Sequence, residues 1–347
     1  MRRILIYLLA LAMLLTACAR TAPDPEAGER ESRYVEAMDT FMTLTACGAH
    51  RSEALDAAEA EIRRLDALLS IGEPDSEISA LNRAGAATLS EDSRAMVARA
   101  LELYRDTGGS FDITILPLME LWGFTSGDHR VPTEVQLAEA LSAVGADRLT
   151  YQHDTEELTL GAGQSIDLGG IAKGYTSQRI MDIYRAAGVT SGLVSLGGNV
   201  QCLGARPDGT PWRIGIQDPW GAEGAMVAVV EVANEAIITS GGYERYFTDE
   251  TTGITYHHIL DPKTGTPADS GLASVTIVSP DGTLADGLST ALYIMGLERA
   301  ADYWRGHSDA FQAILIDNDG QIYVTEGLSS SVTPISSDTE LTVLTKS

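Results

Sequence analysis

Between residues 52 and 69, apolar positions recur at helical spacing (Leu55, Ala58, Ile62, Leu65 and Leu69) with charges filling the gaps. That period predicts an amphipathic helix with one buried face. The same signal predicts helices over 90–107 with Ser90 as N-cap, over 133–144 after the stop at Val131-Pro132, and over 172–187. It also predicts a helix over 285–295, closed by Gly296, with 299–306 continuing as helix. Looser alternation predicts a strand over 34–46 (Met38, Phe41, Leu44) and a hairpin over 149–160. Further strands are predicted at 212–217, 225–232, 236–239 and 272–278, with a terminal hairpin over 313–324 around Asn318-Asp319-Gly320. Residues 194–200 read as a buried strand broken by a Gly pair, and 256–265 as a strand entering a Pro/Gly turn. Residues 110–124 read as a core segment with one acid, Asp112. Helices and strands interleave without steady βαβ alternation, so the expected class is α+β rather than a doubly wound sheet.

Composition adds compartment and partners. The chain has 347 residues, 44% of them hydrophobic and 21% charged, which is a globular composition. Met1-Arg2-Arg3 followed by an apolar run over 4–15 is a secretory signal, too short to span a membrane. Leu15-Thr16-Ala17-Cys18 resembles a bacterial lipobox, in which the cysteine becomes the lipidated first residue; the bland alternative is ordinary signal cleavage. The expected organisation is a signal peptide over 1–17, a lipidated Cys18 with a flexible tether over 18–33, a catalytic domain over 34–327 and a loose tail over 328–347. Net charge is −25, which excludes nucleic acid as a partner and electrostatic docking on anionic lipid. If Cys18 is lipidated, Cys47 and Cys202 remain as the one pair that a disulfide could join, and no Cys/His spacing suggests zinc.

Candidate chemistry gathers at a few points. Asp167-Leu168-Gly169-Gly170-Ile171-Ala172-Lys173-Gly174 sits between a strand-like lead and a helix, so it reads either as a phosphate-binding turn or as an ordinary tight turn. Lys173 is either a point charge for phosphate or a solvated lysine. Asp286 and Thr290, four apart on one helix face, suit a hard cation such as Mg²⁺, or else are a helix-start acid and a back-bonding threonine. His257 and His258 are adjacent on a strand and must face opposite ways, with Asp261 just beyond.

Taken together, these stretches resemble the FAD:protein FMN transferases, the ApbE family. The resemblance covers residues 34–324. It rests on Ala37-Met38-Asp39-Thr40, Asp75-Ser76-Glu77-Ile78-Ser79, Phe111-Asp112-Ile113-Thr114 with Leu121-Trp122-Gly123-Phe124, and the Asp167 to Tyr175 stretch. It continues through Ser195-Leu196-Gly197-Gly198-Asn199, Ser240-Gly241, His258-Ile259-Leu260-Asp261-Pro262-Lys263-Thr264-Gly265, and Ala285-Asp286-Gly287-Leu288-Ser289-Thr290-Ala291.

The resemblance implies a single α+β domain of mixed and antiparallel sheets with packed helices. It implies binding of FAD and Mg²⁺, and transfer of FMN onto a threonine hydroxyl of a target protein with release of AMP. The implied acceptor is a membrane redox-complex subunit or an extracytoplasmic flavoprotein. By position, Met38, Phe111, Asp112, Asp167, Lys173 and Leu260 are expected to contact FAD. Asp286, Thr290, Ser289 and the main-chain oxygen of Gly170 are expected to hold Mg²⁺. His258 is expected to act in transfer, with His258 or Asp261 taking the threonine proton. Where many members carry a flavin-stacking aromatic, this chain has Ile71-Gly72-Glu73, with Tyr243 or Trp122 as possible substitutes. The competing functions are an Mg²⁺-dependent FAD pyrophosphatase and a flavin-binding lipoprotein without chemistry.

One expectation follows from the leader alone. Cys18→Ser should move the protein from the membrane fraction to the soluble fraction, because a pair of acyl chains anchors firmly where a tether does not. Fractionation and immunoblotting check this; membrane retention of the variant contradicts it.

Overall fold

The structure is a computed structural model that describes residues 29–347 apart from His153 and Glu223. The predicted signal, Cys18 and most of the tether lie outside the described residues. No helix among the described residues is long and apolar enough to cross a membrane.

A nine-stranded sheet organises the chain: β1 (Arg30–Ala37), β2 (Thr40–Cys47), β3 (Ser191–Leu196), β4 (Asn199–Leu203), β5 (Ala236–Gly241), β6 (Leu272–Ser279), β7 (Gln312–Asp317), β8 (Ile322–Thr325) and β9 (Leu341–Leu344). These strands lie side by side in chain order. Every neighbouring pair is antiparallel except β8 and β9, which run parallel. The class is therefore α+β, as expected.

The helices are inserted between these strands. Between β2 and β3 come α1 (Arg51–Leu69), α2 (Glu77–Ala84), α3 (Glu91–Asp106), α4 (Leu116–Trp122), α5 (Glu134–Leu141) and α6 (Gly169–Ala186). Between β6 and β7 come α7 (Gly282–Met295) and α8 (Leu297–His307). Ser90 caps α3 through Ser93 N–H, and Thr133 forms a capping box with Gln136 at the start of α5.

The central strands are apolar on both faces, and alternate residues enter different cores. Ile238, Val275, Ile277, Ala313 and Leu315 face the helical layer. Ile237, Val278, Ile314 and Ile316 face a small sheet formed by Trp212–Gln217, Met226–Val232 and Val332–Pro334.

Four expectations needed correction. Residues 34–46 are not one strand but the β1–β2 hairpin, whose turn puts Met38 and Asp39 at φ 50° and 55°. Non-glycine residues seldom take that conformation, so the turn carries no composition signal. Residues 194–200 are likewise a hairpin, β3–β4, turned by Gly197 and Gly198 at φ 61° and 91°. The 172–187 helix begins earlier, at Gly169, which places both glycines of the Asp167 motif in its first turn. The tail over 328–347 is not loose: Val332–Pro334 pairs with the small sheet and β9 closes the edge of the large one. Its Ser/Thr content hid two short strands that are defined only by their partners. Cys47 and Cys202 are buried and free, on strands separated by β3.

Helices α6 and α7 cross at unusually short range. A Cβ on Gly174 would lie 2.2 Å from the Gly282 carbonyl oxygen and 2.6 Å from Asp286 Cβ. Only a residue without Cβ permits that crossing. Gly174→Ala should therefore destabilise the fold by about 1–3 kcal/mol through overpacking. Gly306→Ala, on the exposed side of α8 with open space around it, should stabilise by a few tenths to about 1 kcal/mol. Denaturant midpoints of the two variants check the contrast.

Candidate active site

The α6–α7 crossing builds the centre of the site. Asp286 is buried on α7. Its Oδ2 accepts from Gly174 N–H at 2.7 Å and its Oδ1 from Asn199 Nδ2 at 2.9 Å. In an uninterrupted helix the Gly174 N–H would be directed at the carbonyl of Gly170. Gly170 itself is exposed in the first turn of α6, where a Cβ would lie 3.2 Å from the buried ring of Phe111. Burial holds the Asp286 carboxyl above its ordinary range, opposed first by the Lys173 ammonium. No ion pair reaches Asp286 among the described residues.

Ser240, near the end of β5, lies 2.8 Å from Ser289 Oγ and 3.1 Å from Thr290 Oγ1. Ser289 is fully buried and also donates to the Asp286 carbonyl at 2.8 Å. Thr290, one residue on, is half-buried. The expected donors, the Asp286 carboxylate, the Ser289 and Thr290 hydroxyls and the Gly170 carbonyl, are all oxygen. Among the described residues no three His, Cys, Asp or Glu side chains gather to hold a metal. One buried carboxylate without an ionic partner, among neutral oxygens, suits a hard cation that keeps waters and takes substrate oxygens. The residues fit Mg²⁺.

His258 follows immediately after the short strand Thr255–His257, which pairs with Tyr246–Thr248. The two histidines diverge as alternation requires. His257 Nε2 reaches the Ala268 carbonyl at 3.2 Å, with the Tyr293 ring edge-on at 5.6 Å. His258 Nδ1 lies 3.1 Å from the Arg245 carbonyl. A carbonyl only accepts, so Nδ1 carries the proton and Nε2 keeps the lone pair. Burial, then the Arg245 guanidinium, pushes the His258 imidazole down to about 3. Lys173 acts on His258, Asp286 and Glu244, while Arg245 acts on His258 and Asp167. Those couplings join α6, α7 and the Tyr246–His257 hairpin into one charged cluster.

Asp167, at the start of α6, has its carboxyl raised by burial and accepts from Gly169 N–H at 2.8 Å. Met38 is half-buried at the β1–β2 turn, its backbone N–H donating to Asp66. Phe111, whose ring lies close to Gly170 and Gly287, is buried, as is Leu260.

Asp112, expected among the FAD contacts, is buried. Its Oδ1 accepts from Thr114 N–H and Oγ1 at 2.8 and 2.6 Å, and its Oδ2 from Ala146 N–H at 3.2 Å. It is a buried brace that shapes the 112–114 turn. Asp261 Oδ1 accepts from Lys263 N–H at 2.9 Å and forms the Pro262–Gly265 turn. Trp122 cannot replace the absent stacking aromatic. It is 2% exposed, and its Nε1 donates to Gly265 O at 2.8 Å beneath Tyr256 and Phe247. Tyr243 is half-buried against Gly241.

The sequence reading passed over Gly174, Asn199, Ser240 and Arg245 as functional groups. Asn199 and Ser240 stand next to glycines in motifs already singled out, which is the one local signal they carry. Arg245 matters through a backbone carbonyl and a distant aspartate, and nothing local announces either. A hollow of about 480 Å³ lined by Arg99, Tyr175 and Asp281 lies elsewhere; neither Lys173, Asp286 nor His258 lines it.

A buried carboxylate with hydroxyl neighbours, one lysine beside it and an oriented neutral histidine form one polar centre whose oxygens suit a hard cation. The family model described as the ApbE family matches residues 38–315. A Haemophilus influenzae protein named FAD:protein FMN transferase is 32% identical over 282 residues, 78% of this chain and 80% of that one. An Escherichia coli K12 protein of the same name is 30% identical over 329 residues, 90% and 93% of the two chains. Among solved structures, the ApbE protein of Thermotoga maritima superposes with a TM-score of 0.81 at 30% identity, covering 86% of this chain and 98% of that one. The flavinyl transferase ApbE of Pseudomonas stutzeri does so with a TM-score of 0.74 at 30% identity, covering 88% and 94%. The chain belongs to the ApbE family.

Acid sensitivity follows from His258. The unfolded chain takes up a proton near pH 6.5 that the folded ring refuses until about pH 3. Stability from this group is therefore whole above pH 6.5 and lost as pH falls below it. The carboxyls of Asp112, Asp167 and Asp286, raised by burial, have the opposite sign and favour the folded state as pH falls. His258→Gln should remove only the first effect. Between pH 7 and 5, urea unfolding should show a smaller loss for the variant than for wild type. A single group caps the difference at about 1.4 kcal/mol per pH unit.

Proposed function

We propose that the chain is an FAD:protein FMN transferase. It binds FAD, moves FMN onto a threonine hydroxyl of an acceptor protein as a phosphoester, and releases AMP. The observation that carries this reading is the joining of Asp286, Thr290 and Lys173 with an oriented, neutral His258. Asp286, Thr290 and the Gly170 carbonyl would hold Mg²⁺. When bound, it supplies Lewis-acid polarisation of the scissile phosphoryl group.

The chain's own groups do the rest. Lys173 offers a point charge to the phosphates, next to the exposed first turn of α6, where helix N–H groups favour an anion. His258 Nε2 takes the threonine proton as Oγ bonds to the FMN phosphorus and the bond to the AMP oxygen breaks. Asp261 is less suited as base, because its carboxylate holds the turn after the strand. The leader supports a lipid-anchored, extracytoplasmic enzyme whose acceptor is a membrane redox-complex subunit or a secreted flavoprotein.

The test is incubation with FAD, Mg²⁺ and an extracytoplasmic extract of the host, read by in-gel flavin fluorescence and intact mass. Transfer adds one FMN to an acceptor band. Release of FMN and AMP without a labelled protein would instead mark a pyrophosphatase, and FAD retained unchanged would mark a binding protein. Asp286→Ala should lose metal-dependent turnover. His258→Ala should bind FAD with near-normal affinity and label about 10²–10⁴-fold more slowly. His257→Ala, whose ring packs on Tyr293 and Ala268, should lower stability more than transfer. Labelling by His258→Ala at the wild-type rate contradicts the assignment.

A further inference from the structure

The hairpin leading to His258 leaves one edge open beside the site. Tyr246–Thr248 pairs with Thr255–His257 alone, in a sheet of two strands. His258 N–H donates to Arg245 O at 3.0 Å, and Asp249 N–H to Ile254 O at 2.9 Å. In an antiparallel pair the bonded positions alternate, so Tyr246 and Thr248 turn their N–H and C=O groups outward. Among the described residues no backbone group meets them. Tyr246 is 56% exposed.

The two edges of this hairpin are not equivalent. Beyond His257 the second strand is covered, with Ala268 N–H donating to Ile259 O at 2.9 Å and Leu260 bridged to Pro267. The charged cluster lies toward the first strand instead. The Lys173 ammonium acts on Glu244 there, and the Arg245 guanidinium on Asp167. The His258 ring also leans over that strand, since Nδ1 shares the Arg245 carbonyl with the residue's own N–H.

We propose that the Tyr246–Thr248 edge receives an extended segment of the acceptor protein as a third strand, delivering its hydroxyl to His258. This rests on the transferase reading of the same site. An open edge supplies main-chain hydrogen bonds to any extended sequence, and alternate side chains then set specificity. The edge is electrostatically polarised. Arg245 precedes the strand at its inner end, beside Glu244, on which the Lys173 ammonium acts, and Asp249 and Glu250 follow it in the hairpin turn. The segment that fits has its hydroxyl at the inner end and a lysine or arginine several residues away, over the turn.

The probe is a synthetic 15-residue peptide spanning the threonine mapped in the labelled band. Thr248→Pro removes one outward N–H without touching a ladder bond, a replacement that edge strands tolerate. It should raise the KM for the peptide at least tenfold, with kcat and FAD affinity near wild type. Thr255→Pro, which removes an outward N–H from the opposite edge, should stay within threefold. N-methylation along the peptide gives a readout that does not depend on how the variants fold. Methyl groups at alternate residues should block labelling and those between should be tolerated.

Equal effects of the two prolines, or no period of two in the methyl scan, overturn the proposal. So does a peptide left unlabelled when the intact acceptor is labelled. Labelling that falls as enzyme concentration rises would place a second copy of the chain on the edge, which also overturns it. Failure of the transferase reading looks different, since no protein band then gains flavin at all.

Discussion

The close crossing of α6 and α7 is the constraint on which the site depends. Gly174 and Gly282 meet backbone to backbone, and a Cβ on either would fall inside normal contact distance of the other helix. That approach brings the Gly174 N–H to Asp286 and places a carboxylate in the interior without a counter-charge. Burying an unpaired carboxylate is costly unless donors or a cation compensate. Two neutral donors meet it here, and the lysine one position before Gly174 adds only a nearby charge. A buried carboxylate left with that electrostatic demand suits a hard cation.

The sheet serves that crossing. Because the nine strands follow in chain order, β4 lies next to β5, with α6 packed on β4 and α7 on β5. Asn199 at the start of β4 and Ser240 near the end of β5 can then both reach α7. Gln201, two residues along β4, accepts from Ser177 and donates to Gln178, tying α6 to the same strand. Loosening any of these contacts would let Asp286 move relative to Lys173. Such a shift need only approach 1 Å to matter for in-line phosphoryl chemistry.

His258 is organised by different means. It stands just past a short strand of a small hairpin, and its orientation is set by one backbone carbonyl, that of Arg245. The same residue's guanidinium donates to the Phe124 carbonyl at 2.6 Å, docking the hairpin on the end of α4. Arg245 therefore fixes both where the hairpin sits and which nitrogen of His258 holds the proton. An aromatic layer (Trp122, Phe124, Phe247 and Tyr256) packs at that corner, and burial with the Arg245 charge keeps the imidazole neutral.

Local pattern was enough for the amphipathic helices, their Ser90 and Thr133 caps, the 313–324 hairpin and the α+β class, because each depends on residues a few positions apart. Spacing and chemistry singled out Asp286, Thr290, Lys173 and the divergent histidine pair as candidates, with a bland alternative beside Asp286, Thr290 and Lys173. The β1–β2 turn escaped because Met38 and Asp39 adopt a left-handed conformation with no glycine to announce it. The strands at 332–334 and 341–344 escaped because their sequence is polar and their partners lie far off in the chain. Asp112 was legible as an acid in an apolar run, but only packing showed its oxygens turned to Thr114 and Ala146. Gly174, Asn199, Ser240 and Arg245 acquire their roles across separations of 13 to 112 residues. Sequence determined which groups were available; the helix crossing and the strand order decided which of them meet, because contact at such separations is a property of packing and not of local periodicity.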